Sequence, residues 1–141
     1  MTVTHILKNC TVLDFTHALA GPTTTRLMAE MGADIIKVEL APMGDMSRTI
    51  PYIENDRSAY FVQQNRGKKS LCLDIREAGS ISILKKLIAQ ADVLIENFTP
   101  GVIADMGLGW EVAKEINTEL IYCSISAFGQ TGPLAHLPGF D

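Results

Sequence analysis

The sequence predicts an α/β fold, a Rossmann-like, doubly wound and mainly parallel sheet flanked by helices, on three observations. Short, β-favouring apolar runs alternate with helix-period segments along the 141 residues. The runs break at turns rich in Gly, Pro or Asn. The first two runs bracket one short helix, and strands joined in this way lie parallel with a right-handed crossover, so their carboxyl ends open on one edge. In open α/β sheets that edge is where ligands bind.

Residues 11–15 form the first run, which breaks at Ala20-Gly21-Pro22, where Gly permits unusual dihedrals and Pro suits the first turn of a helix. Leu27, Met28 and Met31 share one face of that helix, Gly32 is placed as its C′ residue, and residues 33–40 read as the second strand. Residues 41–57, with two prolines, Gly44 and several charges, read as a long loop. Residues 58–66 suit a short helix capped by Ser58, Arg66-Gly67-Lys68-Lys69 a turn, and residues 70–75 the third strand.

Residues 77–90 show the clearest amphipathic pattern, with Ile81, Leu84, Leu87 and Ile88 on one stripe and Lys85, Lys86 and Gln90 facing away. Residues 92–96 are the fourth strand, ending at Asn97-Phe98-Thr99-Pro100-Gly101. One helical turn at 102–106, a Gly107-Leu108-Gly109 separator, a helix at 110–116, a fifth strand at 120–126 and a turn at 128–133 follow. One domain over 1–141 is expected. Its last residues, 134–141, run on without a capped helix or closing strand, which reads as truncation at the carboxyl end.

A net charge of −4 gives no global cationic field to collect phosphates, which argues against a nucleic-acid partner. No apolar run approaches the roughly 18 residues needed to span a bilayer, and the amino terminus lacks a secretory pattern, so a cytoplasmic protein without membrane partners is expected. Cys10, Cys72 and Cys123 are odd in number and lack CxxC spacing, and read as reduced thiols, mostly buried. The three histidines have no metal-ligand spacing, and no metal is expected.

No G-x-G-x-x-G, P-loop or G-x-S-x-G signature is present. What remains is a set of strand-end loops. Residues 17–22 lead into a helix amino terminus suited to an anion or developing negative charge, or form a tight turn with a solvated His17. Arg48, Arg57, Arg66, Lys68, Lys69 and Arg76, half of the 12 cations, fit either a polyphosphate cradle or ordinary solvated surface. Asn97-Phe98 ends a strand where ligands dock, or is a plain Asn turn beside a core Phe. Asp14, inside an apolar strand, reads as a hydrogen-bonded structural acid.

Taken in order, Val12-Leu-Asp-Phe-Thr-His17, Ala20-Gly-Pro22, Gly32-Ala-Asp-Ile-Ile-Lys-Val-Glu39, Gly44-Asp45, Asn65-Arg-Gly-Lys-Lys-Ser-Leu71, Leu73-Asp74, Ala91-Asp-Val-Leu-Ile-Glu-Asn-Phe98, Pro100-Gly101 and Phe128-Gly-Gln-Thr-Gly-Pro133 resemble the amino-terminal part of the class III CoA-transferase family. That family includes formyl-CoA transferase, carnitine CoA-transferase and the α-methylacyl-CoA racemases. Each stretch is weakly specific and the ordered set highly so.

The resemblance implies an incomplete Rossmann-like large domain that holds coenzyme A, as substrate and not as a tightly bound cofactor, in a homodimer of interlocked chains. The implied partners are acyl-CoA and carboxylic acids. By position His17, Ala18 and Ala20 border the thioester, while Leu73, Arg76, Asn97, Phe98, Met106 and Phe140 line the CoA path. The family's nucleophilic aspartate lies beyond the position of Asp141, so the resemblance implies a CoA-binding portion that is inactive alone.

Arg76 stands where formyl-CoA transferase has a lysine, but Leu19, Leu40 and Asp105 replace a glutamine and two arginines, so its substrates do not carry over. A longer 44–61 loop, and Phe140 in place of the racemase histidine base, favour transferase over acyl-CoA α-epimerase. A non-catalytic Rossmann-like module is the further alternative.

Overall fold

The structure is a computed structural model that describes residues 5–139, except for the side chain of Ala78. Phe140 and Asp141, and with them the expectations placed on these two, lie outside the described residues. In chain order the first half holds β1 (Thr11–Asp14), α1 (Ala20–Glu30), β2 (Asp34–Leu40), β3 (Ile53–Glu54), β4 (Arg57–Ser58) and α2 (Ala59–Asn65). The second half holds β5 (Lys69–Leu73), α3 (Ala78–Ile88), β6 (Val93–Glu96), α4 (Val102–Asp105), α5 (Trp110–Ile116) and β7 (Ile121–Ser124).

Five strands form one sheet in the order β5-β2-β1-β6-β7, with every neighbouring pair parallel. The order reverses between β1 and β6, because the chain steps from β1 outward through β2 and β5, then returns to add β6 and β7 on the other side. The α/β class and the parallel sheet agree with the sequence expectation.

Strand alternation divides the core between the two faces. Leu13, Phe15, Val38 and Leu94 face a cluster with Leu84, Ile88, Ile103, Leu108 and Ala113. Val12, Ile35, Val93 and Ile95 pack on the other face with Ala33, Met28 and Ala29. Burying each of these large aliphatic or aromatic side chains contributes about 1.5–3 kcal/mol before entropy is counted.

Local signals hold where they are strong. Gly32 follows the α1 C-cap at φ +98°, the left-handed position that glycine fills without strain. Ser58 caps α2 by accepting the Phe61 amide at 3.3 Å.

Two expectations need correction. The 41–57 stretch is not a plain loop: it holds a 3-10 turn (Met46–Thr49) and the antiparallel β3/β4 ribbon, whose turn residues Asn55 and Asp56 sit at φ +50° and +58°. Side chains that tolerate left-handed backbone at both central positions make that two-residue turn possible. The cysteines, although unpaired, are not buried: Cys72 is exposed and Cys123 half-buried on the two outer strands β5 and β7, and Cys10 is half-buried just ahead of β1.

Candidate functional site at the switch between β1 and β6

At the carboxyl edge of the sheet, the loops following β1 and β6 meet across the point where strand order reverses. The backbone amide of His17 donates to Asn97 Oδ1 at 2.7 Å, and Asn97 Nδ2 donates back to the His17 carbonyl at 2.9 Å. The rings of His17 and Phe98 lie 5.2 Å apart at 54°. Three residues singled out from the sequence, 80 or so positions apart in the chain, thus form one half-buried surface. Burial, reinforced by the nearby Lys37 charge and opposed by Asp45, holds His17 below the usual histidine range, so its imidazole is neutral at pH 7.

Ala18 follows at φ +63°, a left-handed conformation that an alanine adopts only when its surroundings impose it. Its amide reaches Asp45 Oδ1 at 3.4 Å. Ala20 opens α1, whose first turn carries no capping side chain and no acid, so the positive end of the helix faces the loop uncompensated. Gly21 permits the close approach of α1 to the end of β1, since a Cβ there would lie 2.3 Å from Thr16 Cβ.

Beneath this surface lies a paired-charge base. Asp14, fully buried, accepts from Thr16 Oγ1 at 2.5 Å, Thr25 Oγ1 at 2.6 Å and Lys68 Nζ at 2.9 Å. Lys37 Nζ donates to the Thr16 carbonyl at 2.6 Å and sits 2.8 Å from Asp45 Oδ2. Glu39 takes Arg48 in a two-pronged pair, 2.6 Å at each oxygen, and also accepts Ser70 Oγ and the Asp45 amide. The Arg48 guanidinium in turn covers the Phe61 ring at 3.7 Å. Burial pushes the carboxyls of Asp14 and Asp45 up, but Lys37 with Lys68, and Lys37 with Ser47, bring them below the usual range. For Glu39 the hydrogen bonds from Arg48 and Ser70 overcome burial and hold it at about 2. The reading of Asp14 as a structural acid agrees with this network.

Much of the cationic cluster is engaged by carboxylates of the chain. Arg48, Arg66, Lys68, Lys69 and Arg76 pair with Glu39, Glu30, Asp14, Asp34 and Asp74 respectively. Lys68 is sealed inside and cannot meet a ligand. Arg76, on an exposed turn past β5, remains accessible and is tethered to Asp74 at 2.6 Å.

Leu73 ends β5, two strands from β1, and its carbonyl accepts the Ala41 amide at 2.9 Å. Met106, just past α4, is half-buried against the core cluster. Both lie along the carboxyl edge rather than at the His17–Asn97 contact. Sequence reasoning passed over Glu96, buried and next to Asn97, which lies at a cleft of about 610 Å³ walled by Trp110 and Tyr122. The only sequence signal was a charged residue closing an otherwise apolar strand. Among the described residues no three His, Cys, Asp or Glu side chains gather as a metal site, and no helix is long and apolar enough to cross a membrane.

Residues 7–141 match the family described as CoA-transferase family III. The chain is 43% identical over 136 residues to succinyl-CoA:glutarate CoA-transferase of Mus musculus, covering 96% of this chain and 31% of that protein. It is 47% identical over 131 residues to acetyl-CoA:oxalate CoA-transferase of Acetobacter aceti, covering 92% and 33%. The crystal structure of a CAIB/BAIF family protein from Brucella suis superposes with a TM-score of 0.92 at 42% identity, over 99% of this chain and 38% of that one. The chain therefore spans about a third of the length of the curated relatives it matches. On the match across all but its first six residues, this chain belongs to CoA-transferase family III.

Proposed function

We propose that residues 1–141 form a single CoA-binding unit of an enzyme that moves coenzyme A between carboxylic acids. The observation that carries this reading is the reciprocal His17–Asn97 clamp at the strand-order switch. It joins a neutral imidazole, an aromatic ring and an uncapped helix amino terminus on one surface. A thioester needs such a surface, because its carbonyl gains negative charge on attack while its pantetheine arm is largely apolar. Leu73 and Met106 offer apolar contact along the same edge, and Arg76 offers the charge for a phosphate. The relatives' names, which all specify CoA transfer between acids, support the same chemistry.

The covalent step belongs to an aspartate that the resemblance places beyond Asp141. Its carboxylate attacks the acyl-CoA carbonyl, the C–S bond breaks, and CoA departs as thiolate, leaving an aspartyl–acyl mixed anhydride. The thiolate then attacks the aspartyl carbonyl, releasing the first acid and leaving aspartyl-CoA for the acceptor carboxylate. In the whole protein the unit pairs with a second copy in an interlocked homodimer in the cytoplasm. CoA enters and leaves as substrate.

Calorimetric titration of the 141-residue chain with CoA tests this reading. Saturable binding is expected, weakened about tenfold by Asn97→Ala, which removes two hydrogen bonds of the clamp. Thioester exchange by the chain alone stays at background. A chain that is folded by circular dichroism yet gives no heat with CoA overturns the proposal.

A further inference from the structure

Asp45 lies in the connection between β2 and the 3-10 turn, yet it is fully buried. Its Oδ1 caps that turn, accepting the Ser47 amide at 2.9 Å and the Ser47 hydroxyl at 2.7 Å. A cap works equally well at the surface, so capping does not account for the burial. Its Oδ2 lies 2.8 Å from Lys37 Nζ, also buried, in a contact of charge without an aligned hydrogen bond. Such a pair is often no more stabilising than apolar groups of the same size.

What an apolar pair cannot do is hold polar backbone, and the backbone beside Asp45 is that of residues 16–18. Oδ1 also accepts the Ala18 amide at 3.4 Å, across 27 positions of chain. Lys37, held by Oδ2, donates to the Thr16 carbonyl at 2.6 Å. Asn97 takes both the amide and the carbonyl of His17. Three consecutive residues are therefore gripped by side chains from three separate parts of the chain, and the last of them is the left-handed Ala18 at φ +63°. An unheld alanine takes that conformation roughly ten times less readily than the right-handed one, whereas glycine takes both about equally. The turn at Ala18 sets how the chain enters α1, two residues on, whose first amides have no intrahelical partner.

We propose that Asp45 is a positioning residue of the CoA site, holding Ala18 in the left-handed turn that aims the first amides of α1 at the thioester carbonyl. This role rests on CoA binding at the β1/β6 edge. Asp45 is sealed beneath the surface and meets no ligand, so its effect passes through Ala18. Without that hold the competent conformer falls to about a tenth, and CoA affinity falls with it.

Two double variants of the 141-residue chain separate the oxygen at position 45 from its charge. Lys37→Met with Asp45→Asn and Lys37→Met with Asp45→Ala both remove the two charges, and they differ in whether an acceptor faces the Ala18 amide. The alanine version, folded by circular dichroism, is expected to bind CoA about tenfold more weakly than the asparagine version in calorimetry. Adding Ala18→Gly to it is expected to narrow the gap to about twofold, a repair that a general loss of packing would not show. Ligand-free carbon shifts of Ala18 are expected at left-handed values in the asparagine version and averaged in the alanine version. Ser47→Ala keeps the test open if the doubles do not fold: it removes one hydroxyl donor from Oδ1 and is expected to move the Ala18 amide signal. Equal CoA affinity in the two doubles, no gain from glycine, or an unmoved Ala18 amide in Ser47→Ala overturns the proposal. Absence of CoA binding from every version, the parent included, with the Ala18 shifts following the expected pattern, instead overturns the CoA reading and leaves the hold of Asp45 on Ala18 standing.

Discussion

The carboxyl ends of β1 and β6 are neighbours in one sheet and have opposite electrostatics. Around the β1 end and the adjoining end of β2, the buried acids are answered from within the chain: Asp14 by Lys68, Asp45 by Lys37, Glu39 by Arg48. At the β6 end the buried Glu96 faces an open cleft without a cation. The contrast separates two ways of using a strand-end carboxylate. A fully paired set fixes backbone, and here it fixes residues 16–18, including the left-handed Ala18, under the proposed thioester site. An acid that borders a cleft fixes less: Glu96 holds the Phe98 amide at 2.8 Å.

The largest effect expected from breaking this contrast lies at the β1 end. Lys37→Met leaves Asp45 buried without its cation and is expected to lower unfolding free energy by about 3–5 kcal/mol in urea titration. The double change Lys37→Met with Asp45→Leu, which removes both charges, should recover most of that loss. A double variant as unstable as the single one would show that the pair's hydrogen bonds, not its charge balance, hold the loop.

Acid should reveal the same base. The carboxyls of Asp14, Glu39 and Asp45 are depressed on folding, so the stability they add is complete above their unfolded values near 4 and is lost as pH falls. For Glu39 the window runs from 4.5 down to about 2. His17, also depressed, adds a separate loss that begins as pH falls through 6.5, and His17→Asn should remove that upper step while keeping the lower one. Thermal melts across pH 2–8 measure both.

Gly21→Ala comes next, at about 1–3 kcal/mol, because its Cβ would collide with Thr16 on the paired side. Smallest is Glu96→Gln, which keeps an acceptor for the Phe98 amide and is expected to change unfolding free energy by less than about 1 kcal/mol in the same titration. A larger loss would show that the carboxylate itself, not a side-chain oxygen alone, holds that amide.

Much of this was legible in the sequence, for identifiable reasons. The strands at Val12–Leu13, Ile35–Ile36 and Val93–Ile95 are buried on both faces and read as continuous apolar runs. Gly32 and Ser58 are read from local backbone chemistry alone. The β3/β4 ribbon escaped because each strand is only two residues long, although Asn55-Asp56 carried its turn. The cationic cluster misled because its partners are remote: Lys68 meets Asp14 from 54 positions away and Lys69 meets Asp34 from 35. That Asn97 and Phe98 stand at a strand end was readable from the turn that follows the apolar run, and the structure brings both against His17. The cleft beside Glu96 was not readable, since it exists only once α4, α5 and β7 pack around it.

The most direct test of the central claim is amide-resolved NMR of the 141-residue chain titrated with CoA. The account predicts shifts concentrated at the amides of His17, Ala18 and Phe98, the residues of the β1/β6 contact, with little change at 85–89 on the far helix. Saturable CoA binding that shifts other surfaces and leaves those three amides unmoved would contradict it.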